Sequence, residues 1–130
     1  IDNNIMNENM KKLSAREEEI MGYFWEKGPL YVKQIVDFYA DKHLHFNTIS
    51  TFVRGLEAQG YVGHKSYGKT YQYFAKVSRD EYRKNTLKSI VNKFFNNSYL
   101  GIVSSLVQEE DISLEDLKEL IREVENGRNK

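Results

Sequence analysis

About 65 residues, Leu13–Val77, carry three helical periodicities followed directly by an aromatic hairpin pattern, and that order leaves few folds open. Ser14-Ala15-Arg16-Glu17 places a hydroxyl and a carboxylate three residues apart, where each can reach the other's backbone N–H. Ile20, Met21, Phe24 and Trp25 then give a helix one apolar face, and Gly28-Pro29 stops it. A second helix is expected from Val32 to about Asp41, with Val32, Ile35, Val36 and Tyr39 inward and no good polar cap at its start. A third is expected to begin after Asn47, a favoured N-cap, with Ile49, Phe52, Val53 and Leu56 inward and Gln59-Gly60 at its end. Two short runs, Tyr61 to Ser66 and Thr70 to Phe74, flank Tyr67-Gly68-Lys69 and read as a hairpin.

The last third is helical in pattern. Ser78-Arg79-Asp80-Glu81 forms a second capping box ahead of Tyr82, Leu87, Ile90, Val91, Phe94 and Phe95. Asn96-Asn97-Ser98 interrupts, Tyr99 to about Gln108 reads as a short apolar helix, and Ser113 opens another with Leu114, Leu117, Leu120, Ile121 and Val124. Together with Leu100, Ile102, Val103 and Leu106, these are more large apolar side chains than three short helices can enclose. A second copy of the chain is the economical cover, so Leu87, Ile90, Val91, Phe94, Phe95, Leu100, Val103, Leu106, Leu117, Leu120 and Ile121 are candidate dimerisation residues. The alternative is that these helices fold back on the chain's own hairpin. The expected division is a flexible segment 1–12, a domain 13–77 and a helical dimerisation domain 78–130.

Composition excludes several classes. The chain has no cysteine, which removes disulfides, thiolate metal sites and cysteine nucleophiles. No apolar run approaches the ~20 residues of a membrane span. The first twelve residues are polar and show no secretion signal, so a cytoplasmic location is expected; Met6 and Met10 are both candidate starts. His43-Leu44-His45 lacks the nearby carboxylates that would complete a metal site, and His64 reads as an exposed or phosphate-facing residue. Glu109-Glu110-Asp111 reads as a solvated charge run, and no nucleophile constellation emerges from spacing. No enzyme, metal or cofactor is expected. Charge balances at 19 basic and 19 acidic residues, but Lys42–Lys76 holds five bases and one acid while Glu109–Glu125 holds eight acids and two bases. Such separation suits one anion-facing surface and one unrelated module.

The third helix carries the most chemistry. Asn47, Thr51, Arg54 and Ala58 fall within about 50° of the pole opposite its apolar stripe, flanked by Ser50 and Gly55. The face is short-chained, acid-free at its centre and armed with one arginine, a set suited to close approach to base edges and phosphates. Lys65, Lys69 and Lys76 lie on or beside the hairpin, with no acid between Gly60 and Val77. Tyr67 at the turn is a candidate contact, whereas Tyr71 and Tyr73 are expected to pack in the core. Helix-helix-helix-hairpin with a basic hairpin is the winged helix-turn-helix arrangement, in which the third helix enters the major groove of double-stranded DNA. The fold expected is therefore mainly α with a small β-hairpin wing, followed by a helical tail. A winged-helix protein-interaction module without specific DNA binding is the alternative, favoured by the zero net charge.

The stretches LSAREEEIMGYFWEKGPLYVKQIV, NTISTFVRGLEAQGYV and GKTYQYFAKVSRDEY resemble the penicillinase-repressor family. The resemblance runs from about Leu13 to Val124. It implies a winged helix with an intertwined dimerisation tail that represses transcription at inverted-repeat operators. Thr48 and Thr51 stand where the family's recognition-helix threonines stand, and Lys69 matches its basic wing residue. Ser50 occupies a position where the penicillinase and methicillin-resistance repressors place an arginine, and Arg54-Gly55 a pair that reads Thr-Arg there, which implies a different operator. In the penicillinase branch a membrane sensor leads to cleavage of the tail at an Asn-Phe bond. The matching position here is Ser105-Leu106, a candidate cleavage region for a sensor-linked protease. The copper-responsive branch senses through clustered cysteines, which this chain lacks.

Overall fold

The computed structural model describes residues 10–40, 43–109, 112–119 and 122. The elements are α1 (Ala15–Lys27), β1 (Leu30–Tyr31), α2 (Val32–Phe38), α3 (Phe46–Ala58), β2 (Val62–Tyr67), β3 (Thr70–Ala75), α4 (Arg79–Phe94) and α5 (Tyr99–Gln108). This is a winged helix-turn-helix domain followed by a helical tail. By internal contacts the chain divides into two compact units, Ile1–Asn85 and Thr86–Lys130.

Local chemistry sets the first unit's boundaries. The Ser14 hydroxyl accepts from Glu17 N–H at 3.2 Å and the Glu17 carboxylate accepts from Ser14 N–H at 2.8 Å, which closes the capping box at α1. Burial alone pushes the Glu17 carboxyl up, but hydrogen bonds from Ser14 and Gln59, with the Lys11 charge, hold it below its ordinary value. α1 ends at Gly28, whose N–H still bonds the Phe24 carbonyl at 2.9 Å and whose positive φ turns the chain out of the helix.

Two boundaries differ from the sequence expectation. α2 stops at Phe38 rather than near Asp41, and position 41 lies outside the described residues. Its start lacks a small polar cap; instead the Gln34 side chain reaches back to accept from Tyr31 N–H at 2.9 Å. α3 starts one residue before Asn47, with His45 as its N-cap and Ile49 N–H bonded to the His45 carbonyl. Asn47 is therefore in the first turn and is not the cap.

The sheet has the order β1-β3-β2, all antiparallel. β1 was not foreseen. It is two residues long and exists because Leu30 and Tyr31 pair with Tyr73 and Gln72, a contact no local window displays. β2 and β3 pair from Val62↔Ala75 to Tyr67↔Thr70 around a two-residue loop. Gly68 opens that loop with φ 62°, a value that a hairpin's mirror-image turns require and side chains resist.

The core of this unit draws on every element. Ile20, Met21 and Phe24 of α1 meet Ile35 of α2, Ile49, Val53 and Leu56 of α3, and Leu30, Val62 and Tyr73 of the sheet. Each fully buried aliphatic or aromatic side chain contributes roughly 1.5–3 kcal/mol relative to exposure. Long-range hydrogen bonds fasten the ends: Tyr61 OH donates to the Lys11 carbonyl at 2.9 Å, and Trp25 Nε1–H donates to the Val77 carbonyl at 2.8 Å.

The second unit is built differently. α4 ends where Asn96 and Asn97 both adopt positive φ and Asn97 N–H reaches the Val91 carbonyl six residues back, an asparagine form of the glycine-type helix stop. The Ser98 hydroxyl accepts from Gly101 N–H at 2.9 Å and opens α5, whose bounds match the sequence expectation. The Ser113 hydroxyl likewise caps a helical stretch at 114–119. Val91 is buried at 1% exposure, whereas Phe94 is 68% and Leu100 77% exposed. Leu87, Ile90 and Leu106 are exposed as well, Phe95, Val103 and Leu117 are half-buried, and Leu120 and Ile121 lie outside the described residues.

Candidate nucleic-acid interface

The periodicity of α3 separates two chemistries on one cylinder. Ile49, Val53 and Leu56 are buried, while Asn47, Thr48, Thr51, Arg54 and Ala58 are exposed and Ser50 is half-buried. Local bonds fix what this outer face presents. The Thr51 hydroxyl donates to the Asn47 carbonyl at 2.9 Å, so toward a ligand it offers lone pairs and a methyl group. Arg54 donates through Nε to the Ser50 carbonyl at 3.4 Å, which steadies the stem and leaves the paired Nη groups as the reaching end. A methyl beside a steadied guanidinium can meet a thymine methyl and a guanine edge.

The wing is clasped to this helix. His64 of β2 bonds the Glu57 carboxylate near the C-terminal end of α3, and its ring stacks on Tyr71 with centroids 4.3 Å apart. Residues opposite one another across an antiparallel pair share a face. His64, Ser66, Tyr71 and Tyr73 therefore lie on the face turned toward α3, and Lys65, Tyr67, Thr70 and Gln72 on the other. Tyr73 is buried at the base of the inner face. Burial pushes its phenol above the ordinary value, Glu57 adds to the rise and Arg54 opposes it, so it remains a neutral donor.

Tyr71 corrects the expectation that both tyrosines pack in the core: it is 49% exposed, because β3 runs past the core toward the wing tip. Lys65, Tyr67 and Lys69 are all exposed. Tyr67 packs edge-on to Tyr31 at 6.5 Å, on the face away from α3. Ser50, Lys69 and Tyr71 are brought together around one cleft of about 540 Å³ between α2, α3 and the wing tip; Lys65 is not among its walls. The same cleft takes Lys33 of α2 and Phe46 of α3, which sequence reasoning passed over. Neither falls on a distinctive motif, and only the approach of α2 to the wing tip gives them a shared surface.

His43 and His45 are both exposed in the connection between α2 and α3. Among the described residues no group of three His, Cys, Asp or Glu side chains could hold a metal ion, and no helix is long and apolar enough to cross a membrane.

Comparison with known proteins agrees with this geometry. The chain is 26% identical over 110 residues to the methicillin resistance regulatory protein MecI of Staphylococcus aureus (strain N315), covering 84% of this chain and 89% of the relative. It is 22% identical over 125 residues to the penicillinase repressor of Bacillus licheniformis, covering 93% of this chain and 98% of that protein. The penicillinase repressor of Staphylococcus aureus is 21% identical over 110 residues, at 84% and 87% coverage. The model of the penicillinase repressor family matches residues 13–126, from the residue before the first helix cap into the C-terminal tail, and the chain belongs to that family.

Proposed function

We propose that this protein is a sequence-specific DNA-binding transcriptional repressor without enzymatic activity. The observation that carries the reading is the exposed, acid-free outer face of α3 held beside a basic wing by the Glu57–His64 bond. Asn47, Thr48, Ser50, Thr51 and Arg54 read or position on the major groove. Lys69 meets the backbone at the wing tip, and Tyr67 and Lys65 reach it from the wing face turned away from α3. The relatives' names, a regulatory protein and penicillinase repressors, support the same reading.

The repressor acts in the cytoplasm as a homodimer on an inverted-repeat operator. Support comes from the uncovered apolar side chains of the second unit, Leu87, Ile90, Phe94, Leu100 and Leu106 among them. Two copies related by a two-fold axis present two reading helices to two half-sites. Relief of repression comes from a sensor-linked protease acting near Ser105 and Leu106. Both are exposed on α5, so the segment must open locally before a protease can bind it extended.

A titration at physiological salt tests the core of this reading. One duplex carries the DNA upstream of the protein's own operon and the other the same composition shuffled. A preference of about a thousandfold with two chains per site is expected. Equal weak binding to both would point instead to a winged-helix protein-interaction module, the reading that the balanced net charge favours. Intact-protein mass spectrometry under inducing conditions tests cleavage, and a single full-length species would remove it.

A further inference from the structure

The cleft between α2, α3 and the wing tip is more aromatic than a DNA backbone needs. Phe46 lies on its wall with 52% of its surface exposed, and Tyr71 with 49%. The benzyl ring of Phe46 offers nothing to a phosphate or a deoxyribose oxygen, and leaving it and the ring of Tyr71 half in water costs free energy that a flat apolar guest recovers. The volume, about 540 Å³, is within the roughly 300–1,000 Å³ typical of small-molecule sites.

The polar groups around the rings select a charge. Lys33 from α2 and Lys69 from the wing tip are cations from two separate elements. Gln34 is already held through its Oε1 by Tyr31 N–H, so its amide hydrogens are what it offers a guest. Asp37 is the one acid on the walls and gives an acceptor to a donor-bearing substituent. Donors and positive charge outnumber acceptors, which favours an anion on a planar apolar body.

We propose that this cleft binds a small aromatic carboxylate, its ring system against Phe46 and Tyr71 and its carboxylate toward Lys33 and Lys69. Ser50 and Lys69 belong both to this cleft and to the proposed DNA-reading surface, so ligand and DNA exclude one another. That exclusion rests on the repressor reading; binding of the carboxylate does not.

The test is a calorimetric titration of the full chain with 2-naphthoate, with 2-naphthamide as the uncharged twin. Saturable binding at one ligand per chain is expected, with the amide at least about tenfold weaker. Phe46→Ala and Lys69→Ala should each weaken 2-naphthoate by about fivefold or more, with unchanged circular dichroism. Absence of saturation up to about 5 mM, or equal affinity for acid and amide, overturns the site. So does full binding by both variants. A parallel DNA titration at saturating 2-naphthoate should lose affinity in proportion to ligand occupancy. Unchanged DNA affinity overturns the exclusion alone. A chain that binds 2-naphthoate but no DNA fails the repressor reading and leaves the site standing.

Discussion

The helices α3 and α5 divide the molecule's apolar surface in opposite ways. α3 mixes Ile49, Val53 and Leu56 with threonine, serine and arginine, yet all three of those aliphatic residues are buried. α5, YLGIVSSLVQ, is six-tenths large apolar side chains and buries none of them. A helix's exposure is set by the surfaces its chain supplies around it and not by its own hydropathy. The first unit supplies two other helices and a sheet to α3. The second unit leaves Phe94 68% and Leu100 77% exposed. The first unit thus encloses its apolar side chains, and the second leaves many of its own exposed.

The largest effect should come from breaking the enclosed side. Phe24→Ala opens a hole where α1 faces the sheet and should cost about 3–5 kcal/mol of stability, read by chemical denaturation. Val53 and Arg54 sharpen the contrast, because one residue step turns inside to outside. Arg54→Ala should leave stability within about 0.5 kcal/mol and cost about 1–3 kcal/mol in operator binding, measured by titration. Unchanged affinity and sequence preference would remove Arg54 from the reading face. Leu100→Glu probes the second unit, and sedimentation should show the dimer weakened at least about tenfold with the circular dichroism of the chain retained. If the variant associates like the parent, the apolar face of α5 is not an interface.

Smaller effects belong to the caps. Ser14→Ala removes the hydroxyl that accepts from Glu17 N–H and should cost about 1 kcal/mol in the first unit, seen as a lower melting temperature. The smallest is a pH effect. Glu17 is held below its ordinary value of 4.5 in the fold, so its contribution is present above that pH and fades as pH falls through the folded value. Glu17→Gln should flatten the acid limb of a stability–pH curve, and an identical limb in the variant would sever the carboxylate from it.

Much of this was legible in the sequence because it is local. Hydroxyl-to-N–H caps at Ser14, Ser78 and Ser113, the stop at Gly28 and the α3 stripe all depend on residues within one or two turns. What was missed depends on distant partners. β1 forms only against β3, and Tyr71 is 49% exposed although it shares a strand face with the buried Tyr73. The α3 cap lies two residues before the expected one, since His45 takes the position although Asn47 has the better side chain for it. The exposed face of α3 could be named from its 100° spacing, whereas the cleft could not, because its walls come from three segments that meet only in the folded chain.

Trp25, the chain's single tryptophan, binds through its indole N–H to a carbonyl 52 residues away. Its ring lies 5.4 Å from Tyr82, with the Arg79 guanidinium 5.8 Å above it. The protein therefore carries an intrinsic fluorophore at the seam where the winged domain closes on itself. Its emission will follow the opening of that seam, and a denaturation profile read at the tryptophan band will report the first unit. Set beside one read by helix content, it turns the difference between the two units into two separable curves.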